Sequence, residues 1–187
     1  RDPEDRERSL LAALAGHIAH AKRNAHGWAR ILAGVDPEAV TGRTALAKLP
    51  ITRKSDLPAL QEAEHPFGGL NAVPVARMGR IFVSPGPIYD PGGVAGDWWR
   101  TARALFAAGF RSGDVALNTF AYHFTPAGVM LESGAVALGC AVVAAGTGQT
   151  ETQVSTIADL RANAYIGTPS FLKVIVEKGD ELGADIR

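Results

Sequence analysis

The segment Arg80-Ile-Phe-Val-Ser-Pro-Gly-Pro-Ile-Tyr-Asp-Pro91 carries the residue types with the most chemistry to offer. An apolar run, Ile81-Phe82-Val83, leads into a Pro/Gly-rich loop with Ser84 at its mouth. Strand-to-loop junctions of this kind hold phosphates in many nucleotide-using proteins, because backbone N–H groups there point at an anion. Ser84, Gly86 and Asp90 are therefore the candidate phosphate-loop residues. The loop departs from the usual recipe, however. Pro85 and Pro87 have no N–H to donate. Asp90 puts a negative charge where a phosphate binder places lysine. Two unit charges roughly 4 Å apart interact by about 1 kcal/mol in water and about 4 kcal/mol at an effective dielectric of about 20, so a Lys-to-Asp difference opposes a bare triphosphate. A Mg2+ ion would reverse that sign, with Asp90 as its ligand.

Three further stretches carry chemistry. In Tyr122-His-Phe-Thr-Pro126 the aromatic side chains Phe120, Tyr122 and Phe124 alternate, which points them to one face of an extended strand end. They can form a flat apolar slot for an aromatic group, or an aromatic cluster in the sheet core. Both readings stay open for Tyr122 and Phe124, and Phe120 fits the core better. His123 is the best placed of the five histidines, yet no partner acid can be named for it, so a hydrogen-bonded structural role is expected. Gly146-Thr-Gly-Gln-Thr-Glu151 follows an apolar strand and opens a helix, as a dinucleotide fingerprint does. Glu151 replaces its third glycine, and no acid ends the next strand at Tyr165-Ile-Gly-Thr168, so NAD binding is rejected. The stretch reads as a Gly-rich turn with Thr150 capping a helix. Gly167-Thr-Pro-Ser170 is a strand-to-helix turn with Pro169 at the helix start. His17 and His20 lack a third ligand and read as solvent-exposed, so no metal site is assigned. Catalytic residues are left unassigned.

These residues need elements to hold them. The 187 residues suit one domain, or one domain with an appendage. Lys plus Arg and Asp plus Glu both number 19, so no global field attracts nucleic acid or an anionic membrane. The Lys22-Arg23 pair with Arg30 reads as a solvated helix face. The single cysteine, Cys140, sits in an apolar strand and reads as an inert core thiol in a reducing, cytoplasmic setting. No secretory signal opens the chain, and Ala135–Gly146 is too short to span a bilayer. Helical spacing of Leu10, Leu11, Leu14 and Ile18, continued by Trp28, Ile31 and Leu32, predicts one or two helices over residues 8–34. Thr52 is a candidate N-cap for a short helix, and residues 63–79 read as loop.

From residue 80 the pattern alternates. Strands are predicted at 81–84, 115–120, 141–145 and 164–166, and helices at 97–108, 125–138, 150–160 and 169–182. That is an α/β pattern: a mostly parallel sheet flanked by helices, preceded by a helical N-terminal segment. The division falls between residues 1–75 (helical segment and linker) and 76–187 (α/β subdomain). Loops 84–93, 120–126, 146–150 and 167–170 then lie on the edge where such sheets bind ligands. The chain starts with Arg1 and stops at Ile186-Arg187, which reads as a fragment of a longer protein.

Five segments in order resemble the N-terminal part of the phenylacetate–coenzyme A ligase family, among the AMP-forming adenylating enzymes. They are Leu49-Pro-Ile-Thr-Arg-Lys-Ser-Asp-Leu57, Pro66-Phe-Gly-Gly-Leu70, Ala108-Gly-Phe-Arg-Ser-Gly-Asp-Val115, Gly146-Thr-Gly-Gln-Thr-Glu-Thr-Gln153 and Gly167-Thr-Pro-Ser170. The resemblance implies a ligase that joins a carboxylic acid, aromatic or other, to ATP, releases pyrophosphate, and passes the acyl group from AMP to coenzyme A. It implies ATP/AMP with Mg2+ and coenzyme A as the bound groups, and it leaves room for a homodimer. It also implies that Tyr122, Phe124, Thr125, Gly146, Thr168 and Pro169 line the acyl pocket. The family phosphate loop reads Ser-Ser-Gly-Thr-Thr-Gly-Lys-Pro. Ser84, Gly86 and Pro91 match it, whereas Pro85, Pro87, Ile88, Tyr89 and Asp90 do not. The family's adenine loop, ribose-binding acid and C-terminal catalytic lysine lie beyond the matched stretch, so residues 1–187 alone are expected to be inactive. Two alternatives remain: a non-catalytic acyl- or nucleotide-binding relative that lost triphosphate handling, and an unrelated doubly wound nucleotide-binding domain.

Overall fold

The structure, a computed structural model, describes residues 2–186. They divide into two compact units. The first runs to Ile81 and takes in Pro85–Pro91; the second takes Phe82–Ser84 and the chain from Gly92 onward.

The first unit is largely helical. Helix α1 (Pro3–Asn24) begins before residue 8, where periodicity alone starts it. The charged opening is what a helix start requires. Asp2 accepts hydrogen bonds from the N–H groups of Glu4 and Asp5, at 2.9 and 3.1 Å. Glu4 and Asp5 in the first turn, and Lys22 and Arg23 in the last, oppose the helix dipole. Extended backbone at Ala25 separates α1 from α2 (His26–Ile31). Short helices follow: α3 (Arg43–Leu46) and α4 (Leu57–Ala63), with single 3-10 turns at Pro37–Ala39, Lys54–Asp56 and Val75–Arg77. Ile18, Leu32 and Val40 form the core of this unit, with Leu14, Trp28 and Ile31 packed around them. Gly27 lets two backbones touch. Its N–H donates to the Gly69 carbonyl at 2.8 Å, and a Cβ there would lie 2.6 Å from the Gly68 oxygen.

Two sequence expectations need correction here. Thr52 does not cap a helix. Its hydroxyl is buried without a partner, and the Asp56 carboxylate instead accepts the Arg53 N–H at 3.3 Å. Nor is the basic cluster a purely solvated face. Lys22 donates to the Val35 carbonyl at 2.5 Å, and Arg30 pairs with Glu64, which His26 also meets.

The second unit holds a three-stranded parallel sheet of order β4–β3–β5. Its strands are β3 (Val115–Asn118), β4 (Ala141–Ala144) and β5 (Ala164–Ile166). Val115 stands opposite Ala141, and Asn118 stands between Ala144 and Ile166. Strand alternation sends Ala116 into one core with Leu105 of α5 (Ala102–Ala107), Ala135 of α6 (Ala127–Ala137) and Ile166. It sends Leu117 into the other, with Val154 and Ile157 of α7 (Thr150–Leu160) and Ile175 of α8 (Pro169–Leu182). Helices thus cover both faces, as a parallel sheet demands. Cys140 is buried, as its apolar setting implies, and its thiol donates to the Arg111 carbonyl at 3.3 Å. Burial, and secondarily the charge of Asp114, push its pKa up.

Three expectations change. Residues 97–101 are not helical, because Asp97 and Arg100 adopt left-handed backbone (φ 46° and 59°) and the Asp97 carboxylate caps α5 at the Ala102 N–H. Thr150 opens α7 rather than capping it; the cap position belongs to Gln149, at φ 53° and ψ 45°. The 84–93 stretch is not all loop. Ile88–Gly92 form strand β2, paired with β1 (Arg80–Ser84) in a separate two-stranded sheet.

Candidate functional site

The C-terminal end of β3 organises the site. Asn118, its last residue, is fully buried. Its side chain amide donates to the Tyr122 hydroxyl and to the Gly128 carbonyl, both at 2.8 Å. Its side-chain oxygen accepts the Phe120 N–H at 3.1 Å, and its main-chain carbonyl accepts the Gly146 N–H at 3.0 Å. One side chain therefore ties the start of α6 and the 120–122 loop together, and its backbone adds the 146 loop. Gly128 is required at its place, since a Cβ would lie 2.6 Å from the Ala121 oxygen. Gln153, buried in the first turns of α7, donates to the Gly146 carbonyl at 2.9 Å and so holds that loop from below.

Thr119 directly follows β3. Its N–H donates to the Ile166 carbonyl at 2.8 Å, and its hydroxyl lies 3.0 Å from that of Tyr165. The Tyr165 hydroxyl in turn reaches the Thr168 carbonyl at 3.3 Å. A side chain on Gly167 would collide with both hydroxyls, which explains the glycine between them. Thr168 caps α8 by accepting the Phe171 N–H at 3.3 Å, and Pro169 begins that helix as expected. Thr119, Phe120, Thr147, Thr168 and Phe171 line a mainly apolar cleft of about 240 Å³ at this edge.

Within this unit the loops at Tyr122, Gly146 and Thr168 thus share one sheet edge. The Val83 N–H donates to the Phe124 carbonyl at 2.8 Å, which sets Ser84, the buried end of β1, beside the 120–126 loop. Thr168 lines the cleft directly; Tyr122, Phe124 and Thr125 are not among its walls. The expected alternation of Phe120, Tyr122 and Phe124 on one face does not hold. The strand ends at Asn118, Phe120 packs partly into the core, and Phe124 turns out at φ 58° and is 71% exposed. His123 is exposed and meets Phe124 edge to face.

Tyr122 has a partner that the sequence reading did not anticipate. The carboxylate of Glu132, on α6, acts on its hydroxyl electrostatically. Burial first, then the nearby Glu132 carboxylate, raise the phenol's pKa well above its ordinary value, against the opposing hydrogen bond from Asn118. Glu132 is separated from Tyr122 by a helix start, and nothing local in the sequence pairs them. Asn118 did leave a signal: it is a polar residue at the end of the otherwise apolar Val-Ala-Leu run.

Gly86 and Asp90 belong to the first unit, where the 85–91 stretch is held differently from an open anion loop. Tyr89 donates its N–H to Gln61 Oε1 at 2.9 Å and accepts from Gln61 Nε2 at 2.8 Å. With prolines at 85 and 87 and the Tyr89 N–H committed to Gln61, this stretch lacks the run of free N–H groups that cradles a phosphate. Among the described residues no group of three His, Cys, Asp or Glu side chains could hold a metal ion. No helix among them is long and apolar enough to cross a membrane.

No protein-family model matches the chain. Curated proteins do. A phenylacetate-coenzyme A ligase of Aromatoleum evansii is 32% identical over 192 residues, covering 97% of this chain. One from Thermus thermophilus is 35% identical over 186 residues, covering 94%. The chain matches the N-terminal portion of phenylacetate–coenzyme A ligases. It spans 42% and 41% of the length of those two relatives. A solved structure of 2-hydroxyisobutyryl-CoA ligase, in the postadenylation state with 2-HIB-AMP, superposes on 98% of this chain at a TM-score of 0.88 and 22% identity, using 41% of its own length. The same ligase with 2-HIB-AMP and CoA in its thioesterification state gives a TM-score of 0.87. These likenesses establish the fold: the N-terminal α/β region of such ligases.

Proposed function

We propose that the whole protein is an AMP-forming acid–coenzyme A ligase of the phenylacetate–coenzyme A ligase type, of which this chain supplies part of the acyl site. The observation that carries the reading is sequence similarity to such ligases over 94–97% of the chain. In this reading the carboxylate of an aromatic or other acid attacks the α-phosphorus of ATP, pyrophosphate leaves, and the thiol of coenzyme A then displaces AMP from the acyl adenylate. Tyr122, Phe124, Thr125, Gly146, Thr168 and Pro169 shape the acyl slot, and the cleft walled by Phe120, Thr168 and Phe171 supplies its apolar surface. Such a slot orients the acid by exclusion of water and by shape rather than by charge. Ser84, Gly86 and Asp90 take the phosphate-loop position, with Mg2+ as the ion that would make Asp90 an asset. The division at residues 75/76, a cytoplasmic location and a homodimer belong to the same reading.

A second reading has its own support. The Gln61–Tyr89 pair and the two prolines leave residues 85–91 poorly suited to a triphosphate, which favours a relative that binds an acyl or nucleotide group without adenylating it. ATP–pyrophosphate exchange separates the two. The full-length protein with aryl acids and Mg2+ is expected to exchange label, and residues 1–187 alone are expected to give none. Absence of exchange by the full-length protein with every acid offered, despite saturable acid binding, selects the second reading.

A further inference from the structure

We propose that Phe171 sets how large an acid the site admits, limiting the acyl group to a single ring. The inference rests on the ligase reading and adds a specificity-determining position to it. Thr119, Phe120, Thr147, Thr168 and Phe171 line a cleft of about 240 Å³ at the C-terminal edge of the sheet. Pockets that take drug-sized ligands run from roughly 300 to 1,000 Å³, so this one has room for one small group. Threonines make up much of its lining, yet the cleft is mainly apolar. The reason is that their hydroxyls are spent inside the chain. Thr119, the most buried wall, donates to the Ile166 carbonyl at 3.2 Å and lies 3.0 Å from the Tyr165 hydroxyl. Thr168 Oγ1 accepts the Phe171 N–H at 3.3 Å and lies 3.1 Å from Ser170 Oγ. Thr147 is exposed, at the rim. The cleft therefore presents methyl groups and rings, and it selects by shape.

Its shape is set by two phenyl rings. Phe120 packs against the core around Leu105, Ala116 and Ala135, and Phe171 against the core around Leu117, Val154 and Ile175. The cleft thus spans the sheet edge from one core to the other. Phe171 is the wall that can set size independently of the fold. It stands in the first turn of α8, where its N–H meets both the carbonyl of Thr168, at 3.1 Å, and the Thr168 hydroxyl. A wall on a helix is held more precisely than one on a loop, where Phe120 sits. Trimming the Phe171 ring widens the cleft without removing a hydrogen bond, whereas Thr119 and Thr168 cannot lose their side chains without losing theirs.

The test uses the full-length protein with phenylacetate and 2-naphthylacetate, which differ by one fused ring. In the wild type, kcat/KM is expected to favour phenylacetate by about 100-fold, within the range that one methylene commands in an apolar pocket. Phe171→Ala is expected to raise kcat/KM for the two-ring acid and bring the ratio to about tenfold or less, with Phe171→Leu in between. The rise is the decisive readout, because a damaged fold lowers both acids and creates no new activity. Leu172→Ala alters the next residue, which is exposed and is not a wall, and is expected to keep the wild-type ratio. A wild-type ratio near one overturns the proposal. So does a ratio that Phe171→Leu leaves at its wild-type value, whether or not Phe171→Ala folds, and so does an equal shift from Leu172→Ala. A wild type that activates other acids but neither of these also overturns it. A protein that activates no acid at all overturns the ligase reading first, and this inference with it.

Discussion

At the residue scale Asn118 has the most to explain. A fully buried amide is stable only when its donors and acceptor are all paired, and here the partners are Tyr122 and Phe120 in the loop after β3 and Gly128 at the start of α6. Asn118→Ala strands the Gly128 carbonyl and the Phe120 N–H in a buried setting. The expected cost is about 2–4 kcal/mol, read as a lower midpoint in urea unfolding with little change in slope. Asn118→Asp tests the pattern: it keeps the Phe120 bond and loses both donations, so its loss should be comparable to that of Ala. A variant as stable as the wild type would mean that water replaces these bonds. Single residues were only partly legible beforehand. The polarity of Asn118 at a strand end was visible, but its partners were not, since a hydrogen bond from residue 118 to residue 128 depends on where α6 starts. The influence of the Glu132 carboxylate on Tyr122 was invisible for the same reason. The aromatic alternation at 120–124 looked regular in sequence and failed because Phe124 adopts a left-handed backbone.

At the element scale the α/β half reads well where short-range rules govern. Helices α7 and α8 and strand β5 fall where apolar period, Thr168 and Pro169 put them. Thr168 both caps α8 and lines the cleft, so it links fold to site. Thr168→Ala is expected to cost about 1 kcal/mol of stability, the usual value of an N-cap, measurable by thermal or urea unfolding. Thr168→Ser should recover most of it, because the hydroxyl rather than the methyl does the capping. An Ala variant indistinguishable from wild type would show that the 3.3 Å contact contributes nothing. Elements failed where a long-range partner decides. Ile88–Gly92 looks like loop because of its proline and glycine, yet it pairs with β1 and is gripped by Gln61. Residues 97–101 carry helix-compatible side chains, but Asp97 ends up capping the helix from outside it.

At the scale of the whole molecule, exposed carboxylates tie stability to pH. Glu7 is lowered by its hydrogen bonds to Arg43, and Asp114 by the Arg111 N–H and Asn163. Glu64 is lowered as well: burial raises it, but His26 and Arg30 together outweigh that. A carboxyl whose folded pKa lies below its unfolded one binds protons more readily when unfolded. Its contribution is complete above the ordinary carboxylate pKa and disappears as pH falls through the lowered folded value. Urea midpoints taken from neutral pH downward are therefore expected to drop through the acid carboxylate range, and Asp114→Asn should flatten that slope. High salt should weaken the Glu7–Arg43 share, which is a surface ion pair, and leave the backbone-held Asp114 share in place. A flat profile in the wild type would contradict this account. The sequence by itself determined the layered α/β class, the parallel sheet and most helix positions, because apolar period, glycine and proline act over a few residues. It also carried the ligase resemblance, through short segments whose order survives in the chain. Only the tertiary structure decided which polar groups meet. Asn118 became the junction of the site's loops and joined the Tyr122 hydroxyl, and the 85–91 stretch lost its free N–H groups to a strand and to Gln61. Each of these pairings joins positions that approach one another only once the sheet and its helices are packed, and buried polar groups must then find partners or forfeit their solvation.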